Sequence, residues 1–221
     1  MNKVDTIIVA DFDGTVAKRD VGYNFFRHFS GGKNNELLPF WKSGELTTRE
    51  CLQREAELVS VSQNEIYPFL DNFELDPGFG SLVTLCQMQN IPLSIASDGL
   101  DFYINYLLKR FSFDHIPSVS NRAVFEGDRL KIEFPYDNRE CNSCGSCKAE
   151  RIEDLKNAHG NGCQVVFVGD GYSDACATRA ADVVFAKSDL KEFCEVRGIK
   201  YHDYNDFFEV ARKLTKMGLL K

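Results

Sequence analysis

The sequence has few features of a nucleic-acid-binding or membrane protein. Its 26 lysines and arginines are outnumbered by 33 aspartates and glutamates, so the 221 residues carry a formal net charge of −7. This charge would repel a phosphate backbone, and we expect no nucleic-acid partner. No run of about 18 apolar residues could span a membrane, and the first eleven residues lack the apolar segment of a signal peptide. The sequence therefore predicts a cytoplasmic protein without a membrane partner.

Histidine is also scarce. The four histidines are His28, His115, His159 and His202. They are too scattered along the chain to indicate a histidine metal site or a catalytic triad.

The eight cysteines are unevenly placed. Cys141, Cys144 and Cys147 lie within seven residues, which suits thiol or metal chemistry better than a secreted disulfide scaffold. They could form part of a structural Zn²⁺ site, but a fourth ligand is not evident. Asp137, Cys163 or a histidine could be proposed, and none is spaced convincingly. Zinc is therefore not the favoured interpretation, and the alternatives are packing residues or a redox-sensitive loop.

Short apolar runs that end in polar, small or acidic residues predict strands buried on both faces of a parallel sheet. The runs are residues 7–10 before Asp11, 93–96 before Ser97, and 165–168 before Gly169 and Asp170. Helical patterns are present at 101–110, 146–158 and 173–181, and further strands are expected at 115–120 and 183–186. This alternation predicts an α/β fold with a Rossmann-like open parallel sheet.

Asp11, Ser97 and Asp170 each follow a predicted strand directly. Ligands of open α/β sheets bind outside the carboxyl ends of the strands, near a topological switch point. We therefore expect these three residues to converge on one site.

Residues 20–80 contain helix signals and few strand signals. Residues 47–50 and 62–65 each fit a capping box, and Asp76-Pro77-Gly78 is typical of a turn. We expect a helical cap at 20–80, inserted after the first strand into a core made of 1–19 and 81–221.

Two smaller features accompany the predicted cap. Phe25, Phe26 and Phe29 have helical spacing, and packing within the cap is favoured over contact with a substrate. Residues 122–136 alternate in polarity around Glu126-Gly127-Asp128, which predicts a small β-hairpin as a second excursion from the core.

The sequence Asp11-Phe12-Asp13-Gly14-Thr15 places two carboxylates on the same side of a chain leaving a strand. Two anions at one place are costly unless a cation shares the site, and oxygen ligands indicate Mg²⁺. Gly14 permits a ligand to approach the backbone closely, as in a phosphate site. On its own the motif could equally be an Asx-turn that closes the strand.

The sequence Gly169-Asp170-Gly171-Tyr172-Ser173-Asp174 adds Asp170 and Asp174 to the same edge of the sheet. Ser97 with the adjoining Asp98, and Lys148 near a helix N-terminus, can supply the remaining contacts to a phosphate group. Taken singly, a surface serine and a solvated lysine are the simpler interpretations. Their position relative to the aspartates favours a phosphate site.

These motifs, in this order, resemble those of the haloacid dehalogenase superfamily over essentially the whole chain, and the helical insert resembles the cap of its phosphoserine phosphatase branch. The resemblance implies a phosphatase in which Asp11 is the nucleophile and Asp13 the general acid and base. It implies that Ser97 and Lys148 bind phosphate. The implied Mg²⁺ ligands are the carboxylates of Asp11 and Asp170 and the carbonyl of Asp13, with Asp174 as an outer metal ligand or a partner that orients the lysine.

The segment 141–148, the preceding hairpin and residues 97–102 are similar to methylthio-ketopentenyl phosphate phosphatases of methionine salvage and to phosphoethanolamine/phosphocholine phosphatases. Phosphoserine phosphatases usually carry an arginine in the cap helix, and Glu55 stands at that place with Arg54 beside it. An acid there could favour an amine or a hydroxyl, or Glu55 could face solvent. Asp20, where the cap begins, is a further candidate substrate contact.

We therefore expect a small phosphorylated metabolite as substrate, and a monomer or homodimer. The alternatives are a phosphoserine phosphatase, a phosphomutase or phosphotransferase with the same nucleophile, and a non-catalytic protein that binds phosphorylated metabolites. Thiol-based phosphatase chemistry would need a Cys-x5-Arg phosphate loop, which the cysteine cluster lacks.

Overall fold

The computed structural model describes residues 6–136, 141, 143–160 and 162–221. The strands are β1 (Thr6–Ala10), β2 (Leu93–Leu100), β3 (Ser118–Glu126), β4 (Arg129–Glu133), β5 (Gln164–Gly169), β6 (Val183–Ala186) and β7 (His202–Asp203). The helices are α1 (Val21–Phe29), α2 (Leu38–Ser43), α3 (Thr48–Glu57), α4 (Gln63–Leu70), α5 (Phe79–Gln89), α6 (Asp101–Arg110), α7 (Lys148–His159), α8 (Ala177–Ala180), α9 (Ser188–Arg197) and α10 (Phe207–Met217).

The strands form one sheet in the order β4-β3-β2-β1-β5-β6-β7, in which only the edge strand β4 is antiparallel to its neighbour. Strand β1 lies between β2 and β5, so the chain leaves β1 toward one side of the sheet and later continues on the other. This is a topological switch point, where α/β proteins bind their ligands. The predicted α/β class is confirmed.

Alternate residues of the central strands are buried on opposite faces of the sheet. In β1, Ile8 and Ala10 belong to one apolar cluster, whereas Ile7 and Val9 belong to another. Both faces are covered by helices, which explains why the strand sequences are continuously apolar rather than alternating. Among the described helices, none combines the length and apolar character needed to cross a bilayer.

The predicted strands are found, and the predicted hairpin is formed by β3 and β4 around Gly127. Strand β2 does not end at residue 96 as predicted but continues to Leu100, so Ser97 lies within it, and β3 continues past the expected 115–120 to Glu126. The continuous helix expected at 173–181 is wrong. A 3₁₀ turn, Tyr172–Asp174, precedes the short helix α8, because the Asp174 carboxylate accepts the N–H groups of Asp170 and Gly171 and closes a tight turn. Helices α9 and α10 and strand β7 were not predicted.

The helical segment between β1 and β2 leaves and re-enters the core at a single point. Ala17 and Leu75 form an antiparallel bridge there, and the Asp76 N–H donates to the Val16 carbonyl at 2.8 Å. Four helices, α1 to α4, lie beyond this bridge, and the capping boxes predicted for α3 and α4 are both present. This bridge fixes where the inserted segment joins the sheet.

The insert also packs against the hairpin. The Ser60 hydroxyl donates to the Asp128 carboxylate at 2.7 Å, and the Val61 N–H donates to the Asp128 carbonyl at 2.9 Å. Inside the insert, the rings of Phe25 and Phe29 pack against each other and against Phe69. The apolar side chains of the insert are continuous with one apolar cluster of the core, and the hairpin gives the insert a second point of attachment.

Candidate active site

Asp11, Lys148 and Asp174 form a buried charged cluster at the carboxyl end of the sheet. Lys148 is 1% exposed and its Nζ lies 2.7 Å from Asp11 Oδ1. The same Nζ forms an ion pair with Asp174 Oδ1 and donates to the Ser173 hydroxyl at 3.2 Å. The structure thus brings the end of β1, the start of α7 and the loop after β5 together around one ammonium group.

Burial and neighbouring charges act in opposite directions on the pKa values of this cluster. Burial raises the pKa of Asp11 well above its usual value, Asp174 raises it further, and Lys148 opposes the rise. Burial alone would lower the pKa of Lys148, but the carboxylates of Asp11 and Asp174 outweigh it, so that pKa is raised. Lys148 therefore stays protonated and holds Asp11 in one orientation.

Asp170 lies beside Asp11 at the end of the neighbouring strand β5. Its Oδ1 accepts the Thr15 hydroxyl at 2.9 Å, and burial raises its pKa to about 7. Gly14 has φ of +72°, and a Cβ at this position would collide with the Asp170 carboxylate. Gly14 is thus required both by its backbone conformation and by the closeness of the two loops.

Asp13 points away from this cluster, toward the first helix of the insert. Its Oδ1 accepts the N–H groups of Val21 and Gly22 at 2.7 and 3.1 Å, and its Oδ2 accepts the Tyr103 hydroxyl at 2.6 Å. Burial raises the pKa of Asp13 to about 7, and the charge of Asp20 adds to the rise. A carboxyl group with a pKa near 7 can both donate and accept a proton at neutral pH.

Ser97 and Asp98 lie in β2, next to β1. Ser97 is 1% exposed, lines the same cavity as Asp11, and its Oγ accepts the Gly99 N–H at 2.9 Å. The Asp98 Oδ1 accepts the Ser146 N–H at 2.6 Å, and burial raises the Asp98 pKa to about 6. The Asp98 side chain therefore holds the loop before Lys148 in place, and the Asp98 carbonyl accepts the Asn121 side-chain amide at 2.6 Å.

A cavity of about 500 Å³ lies above these residues, between the insert and the carboxyl end of the sheet. Its floor includes Asp11, Asp13 and Asp170, and its upper wall includes Phe26, Trp41 and Leu52 of the insert. The expectation that Phe25, Phe26 and Phe29 serve packing agrees with their place in the apolar cluster, and Phe26 in addition lines the cavity.

The insert also touches the core at the rim of this cavity. Lys42 Nζ lies 3.3 Å from Asp189 Oδ2 and 5.2 Å from the centre of the Tyr172 ring. The rings of Trp41 and Tyr172 pack edge to face at 6.3 Å. These contacts join the insert to the core among the residues that line the cavity.

Of the candidate substrate contacts, Glu55 and Asp20 line the cavity, whereas Arg54 is exposed and is not among the lining residues. Glu55 is 6% exposed, so it does not face solvent, and its Oε1 accepts the Asn34 side-chain amide at 3.2 Å. Burial raises the pKa of Glu55 to about 8. Asp20 caps helix α1 by accepting the Tyr23 N–H at 2.7 Å.

The donor set fits a hard divalent cation. Carboxylate oxygens of Asp11, Asp170 and Asp174 lie within 4.8 Å of one another, and oxygen ligands of this kind suit Mg²⁺. Both oxygens of Asp174 are already engaged, one by Lys148 and the other by the N–H groups of Asp170 and Gly171. Among the described residues, Asp11 and Asp170 are therefore the carboxylates best placed to hold the ion directly, and Asp174 orients the lysine.

Several residues of the site were not predicted. Thr15 and Ser173 lie inside the quoted motifs, so their position was a usable signal. Tyr103, which donates to Asp13, and Tyr204, whose hydroxyl lies 3.4 Å from Thr15 Oγ1, have no distinguishing feature in the sequence. Asn34 likewise has no distinguishing feature in the sequence, and only the structure shows its hydrogen bond to Glu55.

Comparisons with known proteins are consistent with this geometry. The model of the family described as Putative Phosphatase matches residues 6–198. The 2-hydroxy-3-keto-5-methylthiopentenyl-1-phosphate phosphatase of Bacillus pumilus is 27% identical, over 97% of this chain and 93% of that protein. The bifunctional enzyme MtnB/MtnX of Bacillus licheniformis is 30% identical over 97% of this chain, which corresponds to 50% of that enzyme.

Among solved structures, a phospho-aspartyl intermediate analogue of phosphoserine phosphatase superposes with a TM-score of 0.74. The superposition covers 98% of this chain and 99% of the other at 16% sequence identity. At this identity the likeness establishes the fold.

Proposed function

The chain belongs to the Putative Phosphatase family within the haloacid dehalogenase superfamily, and we propose that it hydrolyses a small phosphate monoester through an aspartyl phosphate formed on Asp11. The observation that carries the proposal is the buried contact of 2.7 Å between Asp11 and Lys148, at the floor of a cavity large enough for a metabolite. Lys148 holds one oxygen of Asp11, which leaves the other oxygen to attack phosphorus.

In the first step, a bond forms between Asp11 and phosphorus while the bond to the substrate alkoxide breaks. Asp13 donates its proton to the departing alkoxide, and its pKa of about 7 keeps part of the population protonated at neutral pH. In the second step, Asp13 takes a proton from a water molecule whose oxygen attacks phosphorus, the bond between phosphorus and Asp11 breaks, and inorganic phosphate is released. Asp11 and Asp13 then regain their starting states.

Phosphate oxygens would be held by the Ser97 hydroxyl and by backbone N–H groups near Gly14, with Lys148 nearby as a fixed positive charge. We propose that the carboxylates of Asp11 and Asp170 and the carbonyl of Asp13 hold Mg²⁺. When bound, the ion supplies positive charge that offsets the phosphate oxygens, which the net charge of the chain would otherwise repel.

We propose that the segment predicted as a cap, residues 20–80, selects the substrate. It supplies the apolar side chains of Phe26, Leu38, Trp41 and Leu52 and the carboxyl group of Glu55 to the cavity. With a pKa of about 8, Glu55 is mostly protonated at neutral pH and can donate a hydrogen bond to a substrate oxygen. An apolar tail that carries a keto or hydroxyl oxygen fits this wall.

The related phosphatase named for 2-hydroxy-3-keto-5-methylthiopentenyl-1-phosphate acts on a compound of this kind, and we propose the same substrate class here. Phosphoserine fits less well, because no arginine is found among the described residues that line the cavity and Lys42 is already paired with Asp189, so its carboxylate would lack a bidentate partner. Phosphoethanolamine carries an ammonium group, and Glu55 would have to lose its proton to attract this positive charge.

The first test is phosphate release from a substrate panel with Mg²⁺ or with EDTA. The panel contains the methylthio-ketopentenyl phosphate, phosphoethanolamine, phosphocholine, phosphoserine and sugar phosphates. We expect release to require Mg²⁺ and to be fastest with the keto-phosphate. The Mg²⁺ concentration that gives half-maximal activity should increase as the pH is lowered from about 8 to about 6. Protons compete with Mg²⁺ for the Asp170 carboxylate as the pH approaches its pKa of about 7. Release of no phosphate from any of these compounds would refute the proposal.

The second test replaces Glu55 by glutamine, which keeps a neutral group of the same shape. We expect kcat/KM for the keto-phosphate to stay within about tenfold of wild type at neutral pH. In the wild type, KM should rise above about pH 8 as Glu55 loses its proton, and this rise should disappear in the Glu55→Gln variant.

Glu57→Gln is the matched control, because Glu57 is exposed on the same helix. Its KM should follow the wild-type pH dependence. If phosphoethanolamine is the best substrate and Glu55→Gln abolishes its hydrolysis, the charged form of Glu55 binds an ammonium group and the proposed substrate class is wrong.

A further inference from the structure

Four cysteine thiols come together beside the phosphate site. The sulfur atoms of Cys141, Cys144 and Cys147 lie within 4.8 Å of one another. Cys176, which is 29 residues further along the chain than Cys147, joins them from the segment after β5, with its sulfur 3.8 Å from that of Cys144. The Cys176 thiol also forms a hydrogen bond with the thiol of Cys147. The sequence pattern lacked a fourth ligand, and the fold supplies one.

We infer that Cys141, Cys144, Cys147 and Cys176 form a structural Zn²⁺ site. A tetrahedron with Zn–S bonds of about 2.3 Å has edges of about 3.8 Å. The sulfur separations in the structure are 3.5 Å for Cys141 to Cys144 and 3.8 Å for Cys144 to Cys176. Both values are far longer than a disulfide bond of about 2.05 Å. The space is suited to one ion rather than to a larger cluster.

The surroundings also favour thiolate ligands. The sulfur of Cys147 lies at the N-terminus of α7, close to the backbone N–H groups of Ala149 and Glu150, without forming a capping hydrogen bond. Such donors stabilise negative charge on sulfur, and zinc binds the thiolate rather than the thiol. The other candidates for a fourth ligand are weaker. Cys163 is buried in the apolar cluster on one face of the sheet, and Asp137 lies outside the described residues.

The position of the site gives it a role in the phosphate site without contact with a substrate. Cys147 immediately precedes Lys148, and Cys176 follows Asp174 by two residues. A zinc ion would therefore join the two segments whose side chains form the buried ion pair of Lys148 with Asp174. The loop is further held by a bond from the Arg49 N–H of the insert to the Ser143 carbonyl at 3.3 Å. The four cysteines are positioning residues.

The test is the metal content of the full chain purified under reducing conditions, followed by titration of the metal-free protein with Zn²⁺ and with Co²⁺. The expected result is one tightly bound Zn²⁺ per chain, displacement of one proton from each thiol that is still protonated, and the sulfur-to-metal absorption of tetrahedral Co²⁺ thiolates. This absorption distinguishes the cysteine site from the carboxylates near Asp11, which cannot produce it. Zinc removal should lower the melting temperature.

Two variants and a matched control locate the fourth ligand. Cys176→Ser should bind Zn²⁺ at least about tenfold more weakly and change the Co²⁺ spectrum. Cys163→Ser, which replaces a buried cysteine elsewhere, should bind as the wild type does. Cys141→Ser replaces a partly exposed ligand and serves as the second test if Cys176→Ser fails to fold. It should also bind Zn²⁺ more weakly than the wild type.

Three outcomes would overturn the inference. The reduced wild type could fail to bind Zn²⁺ with a thiolate spectrum, Cys176→Ser could bind Zn²⁺ as tightly as wild type, or the purified protein could hold iron in place of zinc. A mass decrease of about 2 Da that is reversed by reductant, with no bound metal, would identify a redox-active disulfide instead. Each readout is independent of phosphatase activity, so failure of the proposed function would leave this test intact.

Discussion

Replacing Asp11 by asparagine is expected to reduce phosphate release by at least about 10³-fold, because the amide cannot form the phosphoryl bond that the carboxylate forms. The variant should fold normally. Asparagine has nearly the same shape, and its neutrality removes a buried negative charge that Asp174 and Asp170 repel. Lys148 keeps its ion pair with Asp174 in this variant. The loss of activity should therefore appear as a lower kcat. The midpoint of unfolding should be the same as in the wild type.

The measurement is steady-state phosphate release together with rapid quenching of a reaction with radiolabelled substrate. Wild-type protein should carry label on Asp11, and the Asp11→Asn variant should carry none. Asp189→Asn is the matched control, because Asp189 lies at the rim of the cavity and is partly exposed. It should retain activity within about threefold. If Asp11→Asn kept more than a tenth of the wild-type activity, Asp11 would not be the nucleophile.

Replacing Lys148 by methionine is expected to reduce both activity and stability. The side chain is 1% exposed and is bonded to Asp11, Asp174 and Ser173. Its loss leaves two carboxylates buried without their cation, at a cost of about 3–5 kcal/mol in the free energy of unfolding. Activity should fall by at least about 10²-fold, because the fixed positive charge near phosphorus is lost.

The pH dependence of this destabilisation has a definite sign. Without the lysine, the pKa of Asp11 should rise further, so the folded state binds a proton more readily than the unfolded chain. The destabilisation should therefore be larger at the higher of two pH values and should decrease as the pH falls, because protonation of Asp11 relieves the repulsion.

Lys156→Met is the matched control, since Lys156 lies on the same helix about two turns further along. Its ammonium donates to the Ala180 carbonyl at 2.6 Å and lies near Asp182, and the side chain is 24% exposed. We expect a loss of at most about 1 kcal/mol and unchanged kcat/KM. Urea unfolding at both pH values measures the two variants. A Lys148→Met protein with near wild-type stability and activity would show that the buried ion pair has neither role.

The central strands were predictable because each is a short run of apolar residues followed by a polar one. Residues 7–10, 93–96 and 165–168 lie in β1, β2 and β5, and the antiparallel hairpin around Gly127 was also predicted. The helix expected at 173–181 failed, because the Asp174 side chain caps a turn within the segment, and helix periodicity does not report such a bond. Helix α10 was missed although one of its faces is buried.

The sequence alone identified the candidate residues of the site. Asp11, Asp13, Lys148 and Asp170 belong to motifs whose order resembles that of a phosphatase superfamily, and parallel strands necessarily carry the ends of their sequences to one edge of the sheet. Local patterns contain this information because each motif directly follows a strand or begins a helix. The capping boxes of α3 and α4 could be predicted from the sequence for the same reason.

The tertiary structure decided which way the side chains point and which distant residues meet. Glu55 faces the cavity while Arg54 beside it is exposed, because the rotation of a helix is set by what it packs against. Tyr103 reaches Asp13 from 90 residues away, and Cys176 reaches Cys144 from 32 residues away. Such contacts depend on the packing of whole elements against one sheet, and no local pattern of residues encodes them.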